Sequence, residues 1–328
     1  MKQHKISRRV LGLVSLVLCL CFGLAFLNEY MVDKGHYRDL KRILYTDAKN
    51  SYDLLFAGGS HMSGAINPQY FEKEFGVKSY NTSTGGQEFY ETYYLLKEVL
   101  KRQSPQVVVL DIYYALNSSP YGDESFAHRV LDPMKLSSNK IEAIQASVAP
   151  KSRKAYFFPF LLYHDRWSDA AELVQEWSDY IGEYTGALGF AGGAQQYGKA
   201  MTYDDWAYSV CTPLAEKQET YLQKFFQLAQ DENFQLVLIN FPCEMDSDEL
   251  TEWAGDAPGK LNQIRKEAAA AGVLFLDLNR PDQMEQMGFD FATMMNNASH
   301  VNYNGAYTVT EYVGKYLQTH ASQLFDLS

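Results

Sequence analysis

Two short stretches carry residue types that could do chemistry together. The first is Asp53-Leu54-Leu55-Phe56-Ala57-Gly58-Gly59-Ser60-His61, an apolar run that passes through two glycines into a serine. The second, 240 residues on, is Asn296-Asn297-Ala298-Ser299-His300-Val301-Asn302-Tyr303-Asn304-Gly305-Ala306. A serine hydroxyl is a poor nucleophile until a base takes its proton, and a neutral histidine does this near pH 7. Ser60 and His300 are therefore the candidate nucleophile and base of an acyl transfer. A glycine-rich turn after a strand is common in its own right, so each stretch alone is weak and their combination is what counts.

The elements around them must place Ser60 at the carboxyl end of a strand, where open parallel α/β sheets bind ligands. Apolar runs predict strands at 53–59, 107–112, 235–241 and 273–277, and Lys78-Ser79-Tyr80-Asn81 reads as a short second strand, 78–81. Between them, apolar spacing and end signals predict helices. Asn67-Pro68 opens one that Gly76 stops, and Phe89, Tyr93, Leu96 and Leu100 mark the next. Further helices follow at about 216–230 and around Leu261, Ile264 and Ala268. Asn304 is expected to cap the last, with Val309, Val313 and Leu317 on one face. Strand and helix in alternation predict an α/β three-layer sandwich, a parallel sheet in order 2-1-3-4-5. The rhythm fails from about 113 to 213, read as an insertion that forms a lid or substrate groove. It holds the candidate ligand contacts His164 and Trp167, and a run Gly186–Gly193 without the Lys and Ser/Thr of a phosphate loop.

Lys2, Lys5, Arg8 and Arg9 precede an uncharged stretch, Val10 to Leu27. As a helix it spans about 27 Å, close to the hydrocarbon thickness. The basic flank predicts a cytoplasmic N-terminus, a single-pass anchor over residues 1–28, and an extracytoplasmic body over 29–328. A cleaved signal peptide is the alternative, but Ala25-Phe26-Leu27-Asn28-Glu29 offers no good small-x-small site. The net charge is −11 over 328 residues, and −15 over residues 29–328. Such a surface repels phosphate backbones and argues against nucleic-acid binding. Cys19 and Cys21 fall in the apolar run, and Cys211 and Cys243 could be paired or free. No Cys/His spacing suggests a metal site, and no cofactor is implied.

Serine after the first strand, a small-residue turn (Asn81-Thr82-Ser83-Thr84-Gly85-Gly86) after the second, and a histidine just before the last helix together resemble the SGNH (GDSL-like) hydrolase superfamily. The resemblance covers most of 50–320 outside the insertion. It implies Ser60 as nucleophile, His300 as base, and Gly85 or Gly86 as an oxyanion-hole donor. His300-Val301-Asn302-Tyr303-Asn304-Gly305-Ala306, and Ser60-His61 with Ile66-Asn67-Pro68 beyond, look like the membrane-anchored branch of bacterial envelopes. That branch includes the D-alanyl-transfer protein of teichoic acid synthesis and exopolysaccharide O-acetylation proteins. It implies an envelope glycan or acylated carrier as substrate and a membrane-bound O-acyltransferase as partner. His61 becomes a candidate substrate contact.

Two positions depart from the superfamily. The triad acid, three residues before His300, is Asn297. The block-three Gly-x-Asn-Asp is absent, leaving Asn117 as a replacement for the oxyanion asparagine. Asn297 can orient an imidazole but supplies no charge, and Asp290 is an alternative acid only if its loop folds back. The expectations are thus a membrane-anchored serine esterase or O-acyltransferase, or a degenerate fold that binds glycan or a membrane acyltransferase. Asn81, Asn117 and Asn297 each head an Asn-x-Ser/Thr triplet, which the bacterial-looking anchor makes a chance occurrence.

Overall fold

The computed structural model describes residues 8–182, 184, 186–201, 210–245 and 247–325. The chain divides into two compact units, 1–35 with 151–184 and 36–150 with 185–328. The expected insertion is therefore not one element. Its middle third groups with the N-terminal helix, and its flanks group with the sheet.

The larger unit is built on a five-stranded parallel sheet, β1 (Leu54–Ala57), β2 (Ser79–Asn81), β3 (Val107–Asp111), β4 (Gln235–Asn240) and β5 (Leu274–Asp277), in order β2-β1-β3-β4-β5. Leu54 pairs in register with Ser79 on one side and Val107 on the other. β1 and β3 are buried along their whole length, as strands covered on both faces require. That is why they read as unbroken apolar runs rather than alternating ones. Each observed strand lies within one or two residues of its predicted bounds.

The covering helices follow their sequence signals closely. Asn67 accepts the Tyr70 N–H at 3.1 Å, and Gly76 ends that helix in the left-handed region at φ +72°. Gly272 (φ +68°) ends the helix Ala257–Ala271 in the same way. The last helix, Tyr303–His320, is capped two residues earlier than expected. Asn302, not Asn304, accepts the Gly305 N–H at 3.1 Å. Asn302 also donates to the Thr293 carbonyl at 2.8 Å and the Gln195 carbonyl at 3.0 Å, so the cap doubles as a loop clasp. Val309, Val313 and Leu317 of this helix are buried in a core with Phe56, Val109 and Ile239 of the sheet.

The segment read as a lid contains helices Glu124–Leu131 and Ser138–Ser147 in the sheet unit. Residues 188–197 form an extended strap within that unit. Asn81 N–H donates to Leu188 O (3.1 Å), Ala191 N–H to Ser63 O (2.8 Å), and Tyr303 N–H to Gly193 O (2.8 Å). The glycines have a packing reason: a Cβ on Gly189 would lie 1.9 Å from the Asn81 carbonyl oxygen. The strap thus ties the loop after β1 to the loop before the last helix.

The smaller unit pairs helix α1 (Arg8–Met31) with residues 151–184. Val10–Met31 is long and apolar enough to cross a membrane. Cys211 and Cys243 are both free, the first exposed and the second buried.

Candidate active site

Gly58 and Gly59 turn the chain from β1 into helix α2 (Ser60–Ala65). Both glycines are forced by neighbours. A Cβ at Gly58 would meet Asp111 Cβ at 2.4 Å, and one at Gly59 would meet the Tyr114 ring at 2.3 Å. Asp111, the last residue of β3, is the clamp of this turn. Its carboxylate accepts the N–H of Tyr113 (2.9 Å) and Gly59 (3.4 Å), and that of Met62. Burial pushes its carboxyl up to about 7, against these three donors. Asn81, at the end of β2, donates to the carbonyls of Met62 (3.0 Å) and Ile66 (3.1 Å) and so holds the far end of α2.

The Ser60 hydroxyl lies 2.8 Å from His300 Nε2. On its other edge, His300 Nδ1 lies 2.9 Å from Ser299 Oγ and 3.2 Å from Asn297 Oδ1. Asn297 Oδ1 also accepts the backbone N–H of Ser299 (3.0 Å) and His300 (2.9 Å). An oxygen that already takes two N–H donors is a fixed acceptor, so Nδ1 carries the proton and Nε2 faces Ser60 with its lone pair. This is the tautomer a general base needs. Burial pushes His300 below its usual value, and no carboxylate pulls it back. Asp290 does not take that role. It caps the short helix Phe291–Met294, accepting the Ala292 N–H (3.2 Å) and the Thr293 hydroxyl (2.7 Å).

Backbone donors are available on the serine side. The N–H groups of Ser60 and His61 open α2 and face no intrahelical acceptor. Among the described residues, the Gly85 and Gly86 N–H groups donate to no protein acceptor. Gly86 sits at φ +72°, and a Cβ there would meet the Phe126 ring at 2.2 Å. The neighbouring Gln87 carbonyl approaches within 3.2 Å of a Cβ built at Gly59, which brings the β2 turn to the Ser60 turn.

Two expected contacts are corrected. Asn117 is not free to serve an oxyanion. Its amide nitrogen donates to both Glu88 oxygens (3.0 and 3.1 Å), and its oxygen accepts the Ser119 N–H (2.8 Å). The long offset from β3 carries it to the start of helix Phe89–Leu100, where Glu88 is the cap. His61 does not face a substrate groove. It is 4% exposed and stacks between Tyr113 (centroids 3.7 Å apart) and His300 (4.4 Å). Trp253 stacks on the other face of Tyr113 at 5.0 Å, completing a column of four rings that ends on His300. Neither His61 nitrogen has a protein partner, and burial, then the neighbouring His300, push it well below its usual value. His164 and Trp167 belong to the smaller unit, where His164 Nδ1 meets the Leu161 carbonyl at 2.8 Å.

Five residues around the pair were not singled out from sequence: Asp111, Tyr113, Tyr114, Trp253 and Ser299. The Tyr114 phenol is raised by burial, with the neighbouring Ser60 side chain opposing the shift. Asp111 was visible as an acid closing an apolar strand, a signal strong enough to have flagged it. Ser299, beside His300, carried no such mark. Among the described residues, no three His, Cys, Asp or Glu side chains gather as a metal set.

No protein-family model matches the chain, and no curated protein matches it. Solved structures do. An acetyl xylan esterase, AlAXEase, is 16% identical over 80% of this chain and 98% of its own, at a TM-score of 0.40. A lipase/acylhydrolase from Enterococcus faecalis is 12% identical over 81% and 95%, at 0.39. The acetyl xylan esterase Est2A from the rumen bacterium Butyrivibrio proteoclasticus is 11% identical over 83% and 65%, at 0.36. At such identities and scores these likenesses carry no argument about substrate; the strand order and the Ser60–His300 geometry stand on their own.

Proposed function

We propose that this chain is a membrane-anchored, extracytoplasmic serine esterase or O-acyltransferase of the SGNH type, acting on acyl groups of a cell-envelope glycan. The observation that carries the reading is the 2.8 Å contact between Ser60 Oγ and the lone-pair edge of His300, at the carboxyl end of β1. The chemistry runs in two halves. His300 Nε2 takes the Ser60 proton as Oγ attacks the acyl carbonyl, and the oxyanion is received by the Ser60 and Gly86 N–H groups. The imidazolium then returns the proton to the leaving alcohol, leaving an acyl-Ser60. In the second half His300 deprotonates water or a sugar hydroxyl as its oxygen attacks the acyl carbonyl; the acyl–Oγ bond then breaks and the imidazolium returns the proton to Ser60, completing hydrolysis or transfer.

Asn297 sets the limit on this scheme. It aligns the imidazole but adds no charge to stabilise imidazolium. In a serine protease with a Ser-His-Asp triad, the equivalent Asp-to-Asn change costs about four orders of magnitude in turnover. Here Ser299 Oγ is a second neutral acceptor on Nδ1. The acylated carrier and the membrane-bound O-acyltransferase partner belong to the same proposal: slow transfer on a tethered acyl group fits a weakly driven base. A second reading, a non-catalytic glycan- or acyltransferase-binding protein, draws support from the neutral Asn297 alone.

The experiment is labelling of the purified chain with a serine-directed fluorophosphonate, with Ser60→Ala as control. Labelling that disappears in Ser60→Ala supports the enzyme. No Ser60-dependent labelling between pH 6 and 9, in a folded chain, would move the weight to the binding protein.

A further inference from the structure

The smaller unit presents an apolar surface that the Ser60 chemistry does not use. Residues 151–184 are fastened to the carboxyl end of α1. The Phe160 N–H donates to Asn28 Oδ1 (3.1 Å), and Arg166 Nη1 to the Met31 carbonyl (2.9 Å). The Trp177 ring packs on Phe26 (6.2 Å) and Tyr30 (5.6 Å). Lys34 Nζ donates to the carbonyls of Glu29 (2.6 Å) and Val32 (2.7 Å), closing the helix end that α1 would otherwise leave open.

These contacts fix a height. Phe26 belongs to the uncharged run, and Met31 is five residues beyond it. That interval is about 8 Å along a helix, close to the depth of one headgroup layer. Trp177, Tyr30 and Tyr180 around it have the composition of an interfacial aromatic belt. This placement rests on α1 being a retained membrane span.

At that height the turn Phe157-Phe158-Pro159-Phe160-Leu161-Leu162 is open. Phe158 is 47% exposed, Leu161 49% and Leu162 42%, with Trp167 beyond at 60%. Soluble surfaces seldom gather so many large apolar side chains in one turn. Its backbone is closed on itself: Leu161 N–H donates to Phe158 O (2.9 Å) and Leu162 N–H to Pro159 O (2.9 Å). Leu161 and Leu162 can therefore enter an apolar medium with their N–H groups paired. Charge points the same way. Residues 151–156 carry Lys151, Arg153 and Lys154 and no acid, in a chain whose net charge is −11, while Arg166 is paired with Glu176 at 2.6 Å. A basic stretch running into an apolar, aromatic one is the interfacial pattern.

We infer that residues 157–162 and Trp167 form a second membrane contact, lying in the headgroup–acyl boundary of the leaflet from which α1 emerges, with Lys151 and Lys154 over anionic headgroups. The occupant is lipid; a protein groove would explain the apolar turn but not the basic flank or its height on α1. The smaller unit would then be held at two points, so that α1 fixes its position and the turn fixes its orientation to the surface.

The test uses the full chain in phosphatidylethanolamine–phosphatidylglycerol vesicles. A nitrobenzoxadiazole probe is placed on Leu161→Cys, or on Glu172→Cys as a control on the exposed face of helix Ala170–Ile181. Cys19 and Cys21 are replaced by Ala and Cys211 by Ser; Cys243 is buried. Expected is co-flotation of both forms, several-fold quenching of the 161 probe by doxyl-labelled lipids, and little at 172. Lys151→Glu with Lys154→Glu should weaken quenching at 161 in anionic vesicles and leave it unchanged in phosphatidylcholine. Flotation with an unquenched 161 probe overturns this inference and leaves the anchor standing. Loss of flotation overturns the anchor itself. A 161 probe unquenched by lipid yet shielded from iodide only in native membranes would assign the turn to a protein partner instead.

Discussion

The Ser60 turn and the Asn297–His300 loop face each other across one hydrogen bond, yet they are built differently. The Ser60 turn is buried and over-determined. Asp111 clamps its start, Asn81 holds its end, and Tyr114 leaves room for glycine alone at position 59. The His300 loop is half-exposed, Asn297 is exposed, and every group on the imidazole is neutral. The geometry that an acyl transfer would need is therefore in place, while the charge that it would draw on is missing. A carboxylate set in so open a loop would be screened by solvent, so restoring it should return only part of what a buried acid supplies.

The largest test of this contrast removes the pair itself. Ser60→Ala and His300→Ala should each abolish esterase turnover on a small activated acyl ester, a loss of about three orders of magnitude or more. Because the two act as one unit, the double variant should lose no more than either single one, as burst and steady-state kinetics would show. Residual turnover in Ser60→Ala equal to the parent would place the activity elsewhere.

Restoring the charge comes next. Asn297→Asp keeps the oxygen that takes two backbone N–H groups and adds a negative charge beside Nδ1. We expect turnover to rise about tenfold, well short of the four decades seen where the acid is buried. The sign on pH follows directly. A carboxylate favours imidazolium, so the His300 pKa moves up, and the acid limb of the pH–rate profile should move to higher pH. In the parent, burial lowers His300, so its acid limb should lie below the usual histidine range. A faster variant with an unmoved acid limb would show that the new carboxylate acts on something other than His300.

Asp111→Asn probes the better-built side. One amide N–H would then confront a backbone N–H in a buried site, at a cost of about 1–3 kcal/mol. The melting temperature should fall by about 2–8 °C and turnover by about tenfold. There is also a pH signature. Asp111 has a folded pKa raised to about 7, above its unfolded value, so the native state holds the proton more tightly. Its contribution to stability is therefore lost as pH rises from about 4 through about 7, and Asp111→Asn should remove that slope. An unchanged slope in thermal melts would mean that Asp111 is not the group responsible.

What was legible in the sequence follows the same division. Continuous apolar runs gave away the strands because parallel strands are covered on both sides. Glycine pairs marked the turns because Asp111, Tyr114 and Phe126 leave no space for a Cβ. Ser60 and His300 were readable from order alone. Asn117 misled because sequence offset says nothing about the Glu88 carboxylate, 29 positions earlier, that takes up its amide. His61 misled because a histidine beside a serine looks like a contact, while its burial depends on Tyr113, 52 positions away. The grouping of 151–184 with α1 could not be read at all, since the tie is made by Asn28, Met31 and Trp177, which carry no pattern together.

The smallest expected effect lies where the two regions touch. His61 leaves the Ser60 turn and stacks on His300 at 4.4 Å and 19° between planes, with Tyr113 and Trp253 behind it. The column is a positioning device: it fixes the plane of His300, whose Nδ1 edge is held by an exposed loop. An aromatic stack is worth about 0.5–1.5 kcal/mol beyond burial. His61→Leu should therefore lower kcat by about two- to tenfold with KM little changed, because it loosens the base without touching substrate. His61→Phe keeps a ring in the column and should restore most of the loss, which a purely volumetric role for His61 would not require. A His61→Leu variant that raises KM at constant kcat would return His61 to the role of a substrate contact, and would mean that the His300 loop orients its base unaided.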